Sequence, residues 1–109
     1  MALLYGLVRS LFEHEHIKTT ETRAKEIRGI AEKVITMAKK GLGEDNESGL
    51  HARRQARRVL NDEDLVKKLF DTVAPKFADR QGGYTRMIKL GMRRGDAAPL
   101  VKLELAYEE

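Results

Sequence analysis

The hydrophobic period of this 109-residue chain changes at Gly82-Gly83, and that change limits what the chain can fold into. Before the glycine pair, apolar residues recur every three or four positions, the spacing of one helix face. After it they alternate, the spacing of a half-buried strand. Leu3, Leu4, Leu7, Val8, Leu11 and Phe12 predict a helix over residues 2–14, and the short β-branched run Ile17 to Thr20 predicts a strand. Thr20 is placed to cap a second helix with Glu21 in its first turn, and Ala24, Ile27, Ala31, Val34 and Ala38 form its apolar stripe. Lys39, Lys40 and Gly41 give that helix a C-terminal signature.

Residues 41–49 (GLGEDNESG) are rich in glycine and acid and are expected to form a flexible loop. A third helix is expected over Leu50 to Leu60. A fourth starts at an Asn61/Asp62 cap and buries Leu65, Val66, Leu69, Phe70 and Val73, with Pro75 either ending it or opening one further turn through Phe77. Tyr84 to Leu90 and Leu100 to Ala106 are expected strands, joined by a hairpin loop over residues 91–99. The order α-β-α-α-α-β-β implies a two-layer α+β fold, about four helices on a small three-stranded mixed sheet. At this length the whole of residues 1–109 suits one domain, which should bury about 65% of its unfolded surface.

Several classes of function are disfavoured. No apolar run approaches the roughly 20 residues a bilayer requires, and Met1 to Leu11 lacks the basic flank of a signal peptide. The chain has no cysteine, so disulfides, zinc knuckles and thiol catalysis are excluded, and a reducing, intracellular setting fits. His14 and His16 flank Glu15 without an evident third ligand, and read as surface imidazoles. Neither a phosphate loop nor a dinucleotide fingerprint is present. No nucleophile is paired with a base, so no enzyme, cofactor, metal or small-molecule substrate is expected.

Charge is the informative property. The formal net charge is +4, but residues 51–103 carry thirteen basic against six acidic side chains. Residues 1–50 balance at eight of each, and the last six residues carry three glutamates. Arg53, Arg54, Arg57 and Arg58 fall on one side of the expected third helix, with no acid between His51 and Leu60. A second cluster, Arg80, Arg86, Lys89, Arg93 and Arg94, is embedded among Gly82, Gly83, Gly91 and Gly95. Arginine forks suit phosphate, and glycines let backbone approach a sugar–phosphate chain. Tyr84 is placed either to stack on a base or to pack in the sheet, and Lys18 is a weaker phosphate contact. These residues predict an RNA-binding domain.

At these residues the chain also resembles bacterial large-subunit ribosomal protein seventeen. SLFEHEHIKTT (10–20), AKEIRGIAEKVITMAKKG (24–41), LHARRQA (50–56), VKKLFDTVAPKFADRQGGYTRMIKLG (66–91) and RRGDAAPLVKLEL (93–105) carry the resemblance over nearly the whole length, FADRQGGYTR and RRGDAAP being its most specific parts. It implies a structural constituent of the large ribosomal subunit in the cytoplasm, bound to ribosomal RNA near the exit of the nascent-peptide tunnel beside neighbouring ribosomal proteins. No membrane, cofactor or catalysis is implied. Family members begin with a histidine- and arginine-rich arm, which this sequence lacks, and GEDNES (43–48) is longer and more acidic than the usual connector. Those departures leave an alternative: a free-standing protein-interaction module, or a shortened or engineered form outside the ribosome, using the apolar stripe of residues 3–12 as a partner helix. A DNA-binding regulator is a weaker reading, since beyond Gln55 no base-reading side chain stands out on a helix.

Overall fold

A computed structural model describes residues 2–41 and 47–107. In chain order it contains α1 (Ala2–His14), β1 (His16–Thr20), α2 (Glu21–Lys40), α3 (Glu47–Leu60), α4 (Glu63–Lys68), a π-helical stretch (Leu69–Val73), α5 (Ala74–Lys76), β2 (Thr85–Met92) and β3 (Pro99–Leu105). Apart from β1, the helices precede the strands, as the change of hydrophobic period at Gly82-Gly83 requires. β3 lies between β1 and β2, and both pairings are antiparallel. The expected mixed sheet is therefore wrong. β1 and β2 do run in the same direction, but β3 separates them, so no parallel ladder forms.

Val101, Leu103 and Leu105 of β3 face the helices, opposite Thr19 and Ile17 on β1 and Lys89, Met87 and Thr85 on β2. α1 and α2 cover this sheet face, while α3 packs on α1 and α2, and α4 on α3 and α1, instead of on the strands. One core results, joining Val8, Leu11 and Phe12 of α1 to Ile27 and Ile35 of α2, Leu60 of α3, and Leu69, Val73 and Phe77 beyond. Burying each such side chain contributes about 1.5–3 kcal/mol. Val8, Leu11 and Phe12 have no exposed surface, and Leu4 and Leu7 pack half-buried against the same core, so these five residues of the stripe are already covered by the domain itself.

Local chemistry explains several boundaries. Asp62 caps α4, accepting hydrogen bonds from Asp64 N (2.9 Å) and Leu65 N (3.3 Å). Thr20 holds an extended backbone before α2, but its side chain does not make the expected cap hydrogen bond. Pro75 opens a further turn: it brings no N–H, and just before it Ala74 N donates five residues back, to Leu69 O, in the widened π turn. α3 begins at Glu47, three residues before the expected start, because buried Gly49 belongs to its packed face. The expected flexible loop at 41–49 thus loses residues 47–49 to helix, and residues 42–46 lie outside the described residues. The hairpin loop is shorter than expected, since Gly91 and Met92 pair with Leu100 and Pro99 beyond a bulge at Lys89/Gly91.

Gly41 ends α2 for a reason other than the left-handed cap its sequence suggests. Its φ is −90°, open to any residue. What requires glycine is space, because a Cβ there would lie 2.8 Å from Ala52 Cβ on α3 and 3.4 Å from the Phe70 ring. Neither a helical Ala52 nor a buried ring can yield easily, so Gly41→Ala should destabilise by about 1–3 kcal/mol, the usual cost of overpacking. Chemical denaturation measures this. A Gly41→Ala variant as stable as the parent would show that α2 and α3 do not approach this closely.

Candidate nucleic-acid interface

The basic helix is built by periodicity. Ala52, Ala56 and Leu60 are buried at intervals of four on α3, which turns Arg53, Arg54, Arg57 and Arg58 outward. The four are not equivalent. The Arg53 guanidinium lies 4.5 Å from the centre of the Phe70 ring, a cation–π contact that fixes its direction. Arg57 forms an ion pair with Glu63 on α4. The sequence shows no acid within the Arg53–Arg58 stretch, but the tight α3–α4 connection brings one alongside. Arg54 and Arg58 are exposed and have no ion pair among the described residues.

The second basic cluster is divided in the same way. Arg86 sits in register opposite Glu104 and donates to its carboxylate at 2.8 Å, which holds the Glu104 pKa below the ordinary carboxylate value. Arg93 pairs with Asp96 inside the hairpin loop. The Arg80 guanidinium donates to the carbonyls of Gly83 (3.1 Å) and Ala106 (2.7 Å), tying the glycine turn to the end of β3. Its role here is structural clasp. Lys89 and Arg94 are exposed and have no ion pair among the described residues. Lys18, exposed on β1, lies directly opposite Lys102 on β3, whose own ammonium is paired with Glu104 at 3.5 Å.

Gly82 (φ +86°) and Gly83 (φ +63°) form a turn that L side chains rarely adopt, and no heavy atom lies within 4 Å of either Cβ position. Backbone approach by a ligand is sterically open at this turn. Tyr84 is a correction. It is only 2% exposed and packs against Phe77 with ring centres 5.2 Å apart, so it cannot offer a face to a base. Its place just ahead of β2 puts it on the core side. Its hydroxyl accepts a hydrogen bond from Lys39 Nζ at 2.9 Å, and that ammonium holds the phenol below its ordinary pKa.

Sequence reasoning misses two anchoring groups. Glu32 of α2 accepts from both Thr85 N (2.9 Å) and Thr85 Oγ1 (3.0 Å), pinning the start of β2 to the helix. Lys39 also donates to the Arg80 carbonyl oxygen. In the sequence both read as ordinary surface charges of an amphipathic helix. The two basic regions are not brought together, since α1 and α2 stand between α3 and the sheet.

Comparisons with known proteins agree with the sequence resemblance. The family described as Ribosomal protein L17 matches residues 3–106. The Large ribosomal subunit protein bL17 of Desulforamulus reducens is 58% identical over 104 residues, covering 95% of this chain and 87% of that protein. Its namesake in Thermoanaerobacter sp. is 57% identical over the same length, with the same shares covered. In Desulforapulum autotrophicum the protein of that name is 50% identical over 108 residues, 99% of this chain and 84% of the relative.

The hairpin loop offers a direct check on its geometry. Asp96 is held at a pKa of about 2 by the Arg93 guanidinium and by the N–H of Ala98, which donates at 3.1 Å. The folded pKa lies below the ordinary value of about 3.9. Whatever stability the carboxylate contributes is therefore complete above that ordinary value and disappears as pH falls through about 2. A carboxyl-carbon NMR titration should place the Asp96 midpoint near 2. A midpoint near the ordinary value would mean that Arg93 is not paired in the loop.

Proposed function

Because the chain belongs to the ribosomal protein L17 family, we propose that it is a structural, non-enzymatic constituent of the large ribosomal subunit whose exposed arginines and lysines neutralise ribosomal RNA phosphates. The observation that carries the contact surface is the outward set on α3, where Arg54 and Arg58 stand exposed above the buried Ala52–Ala56–Leu60 stripe. Lys18, Lys89 and Arg94 extend the same chemistry to the sheet and hairpin, and Arg53 adds a charge oriented by Phe70. Arg57, Arg86 and Arg93 meet phosphate by exchanging an intramolecular carboxylate for it. Arg80, Gly82 and Gly83 form the turn that admits RNA backbone, and Tyr84 contributes from within as support.

Neighbouring large-subunit proteins are further partners in this proposal, as is the place near the peptide exit tunnel that the resemblance implies. The whole chain acts as one domain around its single core. Among the described residues no helix is long and apolar enough to cross a membrane.

Counterion release makes the proposal quantitative. Removing one arginine–phosphate pairing should flatten the log–log salt dependence of RNA binding by about 0.7–0.9. Arg54→Ala and Arg58→Ala should each do so with large-subunit ribosomal RNA, and Arg57→Ala should do so less because Glu63 already shares its charge. Unchanged affinity and slope in the Arg54→Ala/Arg58→Ala double variant would remove α3 from the interface. Failure of the parent protein to co-sediment with large subunits even at low salt would overturn the ribosomal assignment.

A further inference from the structure

An open recess of about 430 Å³ lies between the last turn of α2 and the Gly82-Gly83 turn, bordered by Thr36, Lys39, Lys40, Gln81, Gly82 and Tyr84. We propose that it receives one unpaired nucleotide of the bound RNA, with the phosphate against Lys39 and Lys40 and the base edge against Gln81. The proposal rests on the RNA-binding function argued above and adds a site on α2 to it.

The recess lies within the roughly 300–1,000 Å³ range of small-ligand pockets. Its cation is preset. Lys39 Nζ donates to Tyr84 Oη and to the Arg80 carbonyl oxygen and lies 4.9 Å from the centre of the Tyr84 ring. An ammonium has three donors, so one remains for a ligand, and the chain entropy of ordering this lysine is already spent on folding. Lys40, exposed and without an ion pair among the described residues, adds a second charge at the rim. Thr36 and Lys40 also border an adjoining recess on α2, together with Glu32, Lys33 and Met37. The C-terminal carbonyls of α2 oppose an anion with a charge of only about −0.5. Two full positive charges outweigh it.

The other wall explains why a nucleotide fits better than a bare phosphate. Gly82 presents naked backbone, with no heavy atom within 4 Å of its Cβ position. Gln81 is exposed beside it, and its amide offers both a donor and an acceptor, the pair needed along a base edge. The Thr36 hydroxyl donates to the Glu32 carbonyl oxygen at 2.9 Å and keeps its lone pairs to accept from a ribose hydroxyl. The Tyr84 ring face is closed by Phe77 and Lys39, so the base is held by its edge and not by stacking. Splayed, unstacked bases are what sequence-specific RNA recognition generally reads.

Large-subunit ribosomal RNA, titrated over a range of salt against Gln81→Ala, Lys40→Gln and Arg54→Ala, tests this, with thermal melts verifying the fold of each variant. Gln81→Ala should weaken binding at least about fivefold with an unchanged salt slope, the signature of a missing base-edge hydrogen bond. Lys40→Gln should flatten the slope by about 0.7–0.9. Parent-like binding by Gln81→Ala overturns the nucleotide site, whatever Lys40→Gln does. If Arg54→Ala still weakens binding in that case, only the recess is removed from the interface. If it does not, Arg54 is removed from the interface as well, and the Arg54→Ala/Arg58→Ala double variant decides the rest of α3.

Discussion

The last strand of the chain occupies the middle of the sheet, and the rest of the structure depends on that placement. A central strand has both rows of backbone groups to satisfy, and β3 does so with β1 on one side and β2 on the other. Beyond the ladder, Leu105 N donates to Glu15 O and Ala106 N to Tyr84 O, so the strand's end also ties the α1–β1 connection to the glycine turn. Arg80 completes this knot through its bond to the Ala106 carbonyl. The Gly82-Gly83 turn, the recess beside it and the direction of the β2–β3 hairpin are consequences.

Much of this is legible in the sequence because it depends on periodicity and composition. The ranges of α1 and α2 follow from apolar spacing, β1 follows from its β-branched run to within one residue at His16, and the Asp62 cap follows from local chemistry, which at Pro75 allows either an end or a further turn. What escapes depends on tertiary neighbours. Strand order cannot be read from alternation, so the spacing alone suggests a mixed sheet where the fold builds an antiparallel one. Gly41 has the sequence of a left-handed cap, but its cause is the approach of Ala52 from another helix. Gly49 reads as loop and is helix because packing overrides propensity.

The candidate interface is legible as a set of residues and not as a set of roles. Sequence finds the basic side chains, but it cannot show that Glu63 meets Arg57, that Glu104 meets Arg86, or that Arg80 is engaged by carbonyls. Tyr84 illustrates the same limit. Its position at the head of a strand allows either face, and the packing of Phe77 decides for the core. Lys39 is hidden for the opposite reason, since a lysine in a last helical turn already has a sufficient explanation.

The internal ion pairs do not withdraw their arginines from RNA. Exposed pairs of this kind contribute about 0–1 kcal/mol, and the arginines of the Arg57–Glu63, Arg86–Glu104 and Arg93–Asp96 pairs are all about half exposed or more. A phosphate that displaces the carboxylate regains a charge-assisted, forked contact of at least equal strength. Before binding, the carboxylate reduces the repulsion among arginines and holds each guanidinium near its working direction. The net charge of the chain is the same whether these pairs are closed or open; opening them changes only which anion, carboxylate or phosphate, each guanidinium faces.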